Sequence, residues 1–375
     1  MVHLNDFSCV QPFCDKYPQP SVLMFSSEKH QVDWVKRRSH PRLYTVVDIL
    51  LKIAKFILAL VLLIPLGVYW LLQGICQNII IPSAGGILFR SQCRVNDYLQ
   101  NLYVERIKGW IRNNLVANAD RVVLQYDHLQ IDTLKLTFPN AHPDRWMLVS
   151  LGNAESVESC AIKFSIGGPL KIARKANANV LLFNYPGVVF SKGPVSVQNL
   201  THAYRGCVRY LRDNIKGPQA KQIIAYGYSL GASIQAEALS QEVTDGSDGV
   251  DWFVIKDRGA RSLATVGKQW LGPIGAAITK FVGWDIDSEK HSSALVCPEL
   301  FICSIDENRK LIGDGLFSKE SSFAAPFFDP NRKHTVGRKI SVEQVNLNHV
   351  QALSKEAEDL IVESIEEHYN RHKRN

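Results

Sequence analysis

The sequence predicts an α/β protein with a mostly parallel β-sheet, helices on both faces of that sheet, and a hydrophobic segment near the N-terminus. Three observations support this prediction. Strand and helix patterns alternate from about Arg121 onward, a Gly-X-Ser-X-Gly motif stands between a strand and a helix, and a long apolar run precedes both. Alternating strands and helices are typical of a parallel sheet because the crossover helices cover its faces.

The composition is that of a globular chain. The 375 residues are 46% hydrophobic and 21% charged, which supplies enough apolar material for a sizeable core. The net charge of +7 predicts mild attraction to anionic surfaces, but no dense Lys/Arg stripe with interleaved aromatic residues is present, so we expect no nucleic-acid partner. The eight cysteines form no Cys-X-X-Cys pair, which argues against structural zinc. We expect neither a metal nor an organic cofactor.

The apolar pattern of residues 46–82 predicts a membrane segment. The run "FILALVLLIPLGVYWLL", Phe56 to Leu72, is uncharged, and its apolar flanks extend it to roughly two helix spans. A single span is favoured, with the N-terminus in the cytoplasm, because basic residues cluster at 36–42 before the run. The alternative is a hairpin that turns at Ile64 to Gly67. Either topology predicts membrane localisation, with the lipid bilayer as a partner.

The regions on either side of this segment differ in pattern. Residues 1–45 carry scattered aromatic residues, prolines and charges without a period, and we predict an irregular tail. Residues 83–120 contain "VNDYLQNLYVERIKGWIRNNL", whose helical spacing predicts a linker between the membrane segment and a domain at 121–375.

The domain begins with a predicted pair of strands joined at Asp127-His128, which are "RVVLQYD" and "LQIDTLKLTF". Further strands are predicted at "WMLVSLG", "NVLLFNYPG", "QIIAYGYS", "WFVIKD", "ELFICSI" and "KISVEQV". Helical patterns separate most of these strands, and a final helix follows Val350. The parallel sheet predicted above is built from this alternation.

The segment "IAYGYSLGAS", residues 224–233, places Ser229 directly after a buried strand and before a helix of small residues. This is the context of a nucleophile elbow, a sharp turn that exposes a serine hydroxyl at the top of the sheet. Glycines at 227 and 231 remove the Cβ atoms that would clash in such a turn. We therefore predict that Ser229 is a nucleophile.

A serine nucleophile needs a base and an acid that orients the base. In this architecture they follow in the order serine, acid, histidine. His349 in "NLNHVQAL" comes right after the last predicted strand and is the predicted base. Asp306, directly after "ELFICSI", is the preferred acid. Asp314 in the same loop and Asp257 at the end of the preceding strand are the alternatives.

An acyl transfer also needs hydrogen-bond donors for the developing oxyanion. The backbone N–H of Leu230, directly after the nucleophile, is the first predicted donor. The second should come from the loop after "WMLVSLG", where the chain reads "GNAE". Asn153 or Ala154 would supply it.

From Arg121 to His368 the chain resembles the α/β-hydrolase superfamily. The likeness rests on "GYSLGA", "FNYPGVVFSKG", "SIDEN" and "NLNHVQAL", although Pro186 stands where the superfamily often has Arg in the second of these. With its hydrophobic N-terminal region and the segment "DRGARSLATVGKQWLG", the chain is more specifically similar to the poorly characterised membrane-associated hydrolase-like proteins of chlamydiae. The resemblance implies an α/β-hydrolase fold and a bacterial setting, and it names no substrate.

Together these observations predict a membrane-anchored serine hydrolase, of the esterase, lipase or thioesterase kind, that cleaves an ester, thioester or amide through an acyl-enzyme on Ser229. The anchor favours lipid-like or membrane-borne esters. Two alternatives stay open. One is a catalytically inactive hydrolase-fold membrane protein that binds partners, and the other is a serine peptidase, which would need a cap or propeller that the sequence does not reveal.

Overall fold

A computed structural model describes residues 22–61, 65–81, 97–163, 168–328 and 339–371. Within these residues, nine strands form one sheet. The strands are β1 Val22–Met24, β2 Asn118–Tyr126, β3 Leu129–Thr137, β4 His142–Ser150, β5 Ala178–Phe183, β6 Gln222–Tyr228, β7 Asp251–Asp257, β8 Glu299–Ile305 and β9 Lys339–Val345. The helices are α1 Glu28–Ser39, α2 Pro41–Val61, α3 Pro65–Ile80, α4 Asp97–Arg112, α5 Val157–Lys163, α6 Pro169–Lys175, α7 Val197–Arg212, α8 Leu230–Leu239, α9 Leu263–Phe281, α10 Ser288–Ser293 and α11 Lys355–Arg371.

The strands lie in the order β1-β2-β3-β5-β4-β6-β7-β8-β9. β3 runs antiparallel to β2 and β5, and the other neighbouring pairs are parallel. The strand pair predicted around Asp127-His128 is the β2–β3 hairpin. Because β6 to β9 are parallel, the loops that follow them meet at one edge of the sheet, where open α/β sheets bind ligands. The predicted α/β-hydrolase fold is confirmed.

Apolar side chains cover both faces of the sheet. Every residue of β5 and of β8 is buried, as expected for parallel strands covered on both sides. On one face α7 and α8 contribute Leu200 and Ile234 to the core, and on the other α6 and α11 contribute Leu170 and Ile361. The sheet is therefore a rigid base for the loops at its edge.

The prediction of an irregular tail over residues 1–45 is wrong from Val22 onward, and residues 1–21 lie outside the described residues. β1 pairs in parallel with β2, so that Met24 lies opposite Tyr126. Ser27 caps α1 by accepting a hydrogen bond from the backbone N–H of His30. A three-residue strand that pairs a hundred residues further along the chain leaves no local period, so a pattern search does not find it.

The predicted membrane segment, residues 46–82, falls mainly on α2 and α3. Among the described helices, none has both the length and the apolar character that crossing a membrane demands, so this part of the prediction is not supported. The apolar run is divided between α2, which ends at Val61, and α3, which begins at Pro65. Residues 62–64 and residue 82 lie outside the described residues.

The two hydrophobic helices have different surroundings. The apolar side chains of α2 are exposed, as at Leu50 and Phe56. α3 instead packs one face against the core of the domain, through Tyr69, Leu72, Cys76 and Ile80. Of the predicted linker over 83–120, residues 83–96 lie outside the described part, and the rest contains α4 and the start of β2.

α9 is a pair of short helices folded against each other. Leu271 and Gly272 have non-helical backbone angles, with φ of +62° at Gly272, and Pro273 follows them. The two halves approach so closely that a Cβ atom on Gly275 would lie 2.1 Å from the carbonyl oxygen of Gly267. The glycines therefore permit a compact helical hairpin, with the turn at Leu271 and Gly272 as its tip.

Candidate active site

Ser229 occupies a strained turn between β6 and α8. Its backbone angles are φ +53° and ψ −119°, a conformation that non-glycine residues rarely adopt. A Cβ atom on Gly231 would lie 2.2 Å from the carbonyl oxygen of Ser150, and one on Gly227 would lie 2.6 Å from Cα of Ala232. These contacts give the two glycines the steric role that the sequence predicts for a nucleophile elbow.

His349 contacts both Ser229 and an aspartate. Its Nε2 lies 3.0 Å from Oγ of Ser229, and its Nδ1 lies 2.7 Å from Oδ2 of Asp314. The backbone N–H of His349 also donates to the carbonyl oxygen of Asp314, at 2.7 Å. All three side chains are buried. The arrangement has the geometry of a Ser-His-Asp triad.

The aspartate beside His349 is Asp314, and Asp306, the preferred candidate, lies elsewhere. After β8 the chain makes a tight turn in which Oδ1 of Asp306 accepts hydrogen bonds from the backbone N–H groups of Asn308 and Lys310, at 2.9 and 2.8 Å. The backbone N–H of Asp306 donates to the carbonyl oxygen of Lys310. This turn uses the Asp306 carboxylate as a local cap, and the chain reaches His349 only at Asp314.

The Asp314 carboxylate is held by backbone groups as well as by His349. Its Oδ1 accepts hydrogen bonds from the N–H groups of Leu316 and Phe317, at 3.0 and 2.8 Å. Burial alone would raise the pKa of Asp314, but the bonds from His349 and from the backbone outweigh it and hold this pKa below its ordinary value. The carboxylate is therefore ionised at neutral pH and can keep a proton on Nδ1 of His349.

Asp257, the other alternative acid, is bound to Arg258 and not to His349. Nε of Arg258 donates to Oδ1 of Asp257 at 2.7 Å. Nη1 of Arg258 donates to two backbone carbonyl oxygens on either side of the histidine, those of Asn348 at 2.9 Å and Gln351 at 2.6 Å. This buried pair thus fixes the loop that carries His349. The sequence shows only an Asp-Arg pair at the end of a strand, which gives no sign of the role.

Two aromatic side chains complete the setting of His349. The hydroxyl of Tyr228, the residue before the nucleophile, donates to the carbonyl oxygen of His349 at 2.6 Å. The ring of Phe317 packs edge-on against the imidazole, with 5.0 Å between ring centroids. Both contacts limit the orientations of the ring, and neither could be predicted from residue spacing.

The residues predicted as oxyanion donors lie on two elements. Leu230 is the first residue of α8, where a backbone N–H has no partner within its own helix. Asn153 and Leu230 lie on the same cavity as Ser229. Ala154 is exposed, and it is not among the residues that line this cavity. Of the two candidates for the second donor, Asn153 lines the cavity and Ala154 does not.

The cavity beside Ser229 has a volume of about 280 Å³ and is almost entirely apolar. α3 forms one wall and the α9 hairpin forms another. The side-chain amide of Asn153 lies 3.5 Å from the carbonyl oxygen of Ile79, so the predicted oxyanion turn adjoins the α3 wall. Such a cavity suits a chain of methylene groups better than a polar or charged group.

No cluster of three or more His, Cys, Asp or Glu side chains suited to a metal ion occurs within the described ranges.

One family matches nearly the whole chain. The family described as Chlamydia CHLPS protein (DUF818) covers residues 12–370. The chain belongs to this family. Its membership confirms the resemblance to hydrolase-like proteins of chlamydiae. The comparison with curated proteins found no match.

Several solved structures are similar to this family member. An α/β hydrolase from Vibrio vulnificus is 22% identical, with a TM-score of 0.44 over 57% of this chain and 71% of its own. An esterase from Pyrococcus furiosus is 17% identical, with a TM-score of 0.48 over 68% and 92%. An esterase from Pyrobaculum calidifontis is 14% identical, with a TM-score of 0.47 over 73% and 92%.

Proposed function

We propose that the protein is a serine hydrolase in which Ser229 is the nucleophile, His349 the general base and Asp314 the acid that orients the base. The observation that carries the proposal is the continuous contact from Ser229 Oγ to His349 Nε2, at 3.0 Å, and from His349 Nδ1 to Asp314 Oδ2, at 2.7 Å. The strained backbone at Ser229 supports the same assignment, because strain of this kind clusters at functional sites.

The reaction proceeds in two steps. Ser229 Oγ attacks the acyl carbon while His349 Nε2 takes the hydroxyl proton, and the tetrahedral oxyanion faces the N–H of Leu230 and a donor at Asn153. Collapse releases the alcohol, thiol or amine, which receives the proton from His349, and leaves the acyl group on Ser229. Water, deprotonated by His349, then attacks the acyl-enzyme and releases the carboxylic acid. Asp314 stays ionised throughout and stabilises the imidazolium.

The favoured substrate is an ester or thioester of an apolar acyl group. The cavity at Ser229 is lined by side chains such as Leu72, Leu263 and Ile278, which would cover an alkyl chain and leave a polar group without partners. Amides remain possible for the same chemistry. We also propose that the enzyme works in association with a membrane, since the apolar helix α2 exposes many large side chains.

A fluorophosphonate probe tests the proposal, because it reacts covalently with an activated serine. Full-length protein should be labelled and should hydrolyse short p-nitrophenyl esters. Ser229→Ala should abolish labelling and lower kcat by about 10⁴-fold or more. Ser364→Ala, at a half-buried serine of α11 whose hydroxyl donates to the carbonyl oxygen of Leu360, is the matched control and should behave as wild type. Full activity in a folded Ser229→Ala protein would refute the mechanism, and an inert wild type would favour the partner-binding alternative.

A further inference from the structure

The tip of the α9 hairpin is apolar and exposed. Leu271 and Ile274 are 67% and 70% exposed, and Trp270 is 49% exposed. This turn reads "WLGPI", and it is part of a segment that the catalytic chemistry does not use. Large apolar side chains are seldom left so accessible together unless a partner covers them.

The exposed tip continues onto α3. The rings of Tyr69 on α3 and Phe281 at the end of α9 meet edge to face, with 5.5 Å between centroids. α3 exposes its own apolar side chains next to the hairpin. We call the combined surface the apolar rim, and it consists of Val68, Leu71, Ile75, Ile79, Trp270, Leu271, Ile274 and Phe281.

The apolar rim is also the mouth of the cavity. Ile75, Ile79, Trp270 and Leu271 are exposed to solvent and at the same time line the cavity that reaches Ser229. An apolar chain that left a lipid layer covering the rim would therefore pass to Ser229 without crossing water. A polar partner bound at the same place would close the entrance.

Charge on these two helices favours one kind of occupant. α3 has no charged residue, and the charged residues of α9 are Lys268 and Lys280, both exposed. Cationic side chains beside apolar ones are attracted to anionic lipid surfaces. A second copy of the chain fits less well, because a two-fold contact through the rim would bring like charges together.

We propose that the apolar rim docks on an anionic lipid surface, with the Trp270–Ile274 turn inserted among the lipids and the cavity open towards them. The nature of the ligand that enters the cavity, an apolar acyl chain, rests on the proposed function. The docking itself does not, since it follows from exposure and charge. Tryptophan suits this position because its ring is amphipathic and accumulates at membrane interfaces.

Quenching by brominated lipids tests the insertion without reference to activity or to other membrane contacts. Full-length protein is mixed with phosphatidylglycerol/phosphatidylcholine vesicles that carry bromine on their acyl chains, and tryptophan emission is recorded. Trp270→Phe should remove a measurable share of the quenching, because the inserted ring is lost. Trp252→Phe, which removes a fully buried tryptophan of β7, is the control and should leave the quenched emission unchanged. Equal quenching in wild type and Trp270→Phe would overturn the proposal.

A kinetic test adds the consequence for the substrate. Leu71→Asp/Ile274→Asp, at two residues of the apolar rim that do not line the cavity, should lower hydrolysis of a vesicle-borne long-chain ester at least tenfold and leave hydrolysis of a soluble short ester within twofold of wild type. Ile215→Asp, at a residue that is 86% exposed after α7, should change neither rate. Retention of vesicle hydrolysis by the double variant would contradict the docking. Absence of hydrolysis in wild type would refute the proposed function and leave the quenching result to decide the docking.

Discussion

The triad and the apolar rim lie on one cavity, yet their side chains are held by different forces. Ser229, His349 and Asp314 are buried, and each has hydrogen bonds whose geometry the sheet edge fixes. The rim side chains are exposed and apolar, so their own contacts are non-directional. A small displacement of a side chain should therefore lower the rate of reaction strongly at the triad and weakly at the rim. Substitutions in the two regions should differ accordingly in their effect on catalysis.

Among the substitutions that separate the triad from the rim, loss of the Asp314 charge should have the largest effect. Asp314→Asn removes the acceptor for Nδ1–H of His349 and allows the wrong tautomer of the imidazole. The same Asp→Asn substitution in the triad of a serine protease lowers kcat by about 10⁴-fold. We expect a loss of about 10³- to 10⁴-fold in kcat for short esters, with little change in KM. Steady-state kinetics on soluble substrates measures it.

Asp306→Asn is the matched control for this substitution. Asp306 is eight residues earlier in the same loop and accepts only local backbone hydrogen bonds among the contacts described for it. We expect kcat to change less than threefold, with a small loss of stability from the weakened turn. A large loss at Asp306 with little at Asp314 would reverse the assignment of the acid.

Arg258 should have an intermediate effect, because it acts on His349 through the backbone. Arg258→Gln removes the donors to the carbonyls of Asn348 and Gln351 and leaves Asp257 without its cationic partner. We expect kcat to fall about 10- to 100-fold while KM changes little, as for a group that matters mainly in the transition state. Arg258→Lys should restore only part of the loss, because an ammonium cannot reproduce the planar fork.

The control for Arg258 is Arg261→Gln, at a more exposed arginine that pairs with Glu289. It should leave both kinetic constants close to wild type. Thermal unfolding of each variant separates a positioning role from a structural one. If Arg258→Gln lowers Tm but kcat of the remaining folded enzyme is normal, Arg258 only stabilises the fold.

Sequence reasoning performed well where local pattern and local geometry coincide. The elbow at Ser229 is contained within ten residues, and the buried strands show as continuous apolar runs. The choice of His349 as the base can be made from the sequence because this residue comes directly after the last strand. The aspartate that contacts His349 is harder to predict, because a tight turn at residues 306–310 decides which aspartate faces the histidine. Such a turn depends on hydrogen bonds that residue spacing does not reveal.

Features built from distant residues were missed. The role of Arg258 depends on carbonyl groups some ninety residues further along the chain, and β1 depends on pairing with β2. Of the hairpin in α9 the sequence predicts only a helical pattern between two strands, since the close approach of Gly267 and Gly275 appears only when the two halves are folded together. The sequence predicts one membrane segment at residues 46–82, but part of this stretch, in α3, forms a wall of the cavity.

The smallest effect should come from filling the cavity at its α9 wall. Ile278 lines the cavity, and its apolar side chain makes no hydrogen bond to Ser229 or His349. In wild type, kcat/KM for p-nitrophenyl esters should rise by about fourfold for each buried methylene until the cavity is full, since each contributes about 0.8 kcal/mol. Ile278→Phe should shift the preferred acyl chain to a shorter length and lower kcat/KM for the longest esters by about 10-fold, with acetate unaffected. Leu360→Phe, at an exposed site on α11, should leave the profile of kcat/KM against chain length unchanged. If Ile278→Phe gives the wild-type profile as well, the acyl chain does not occupy this cavity, and the triad and the rim do not share a substrate.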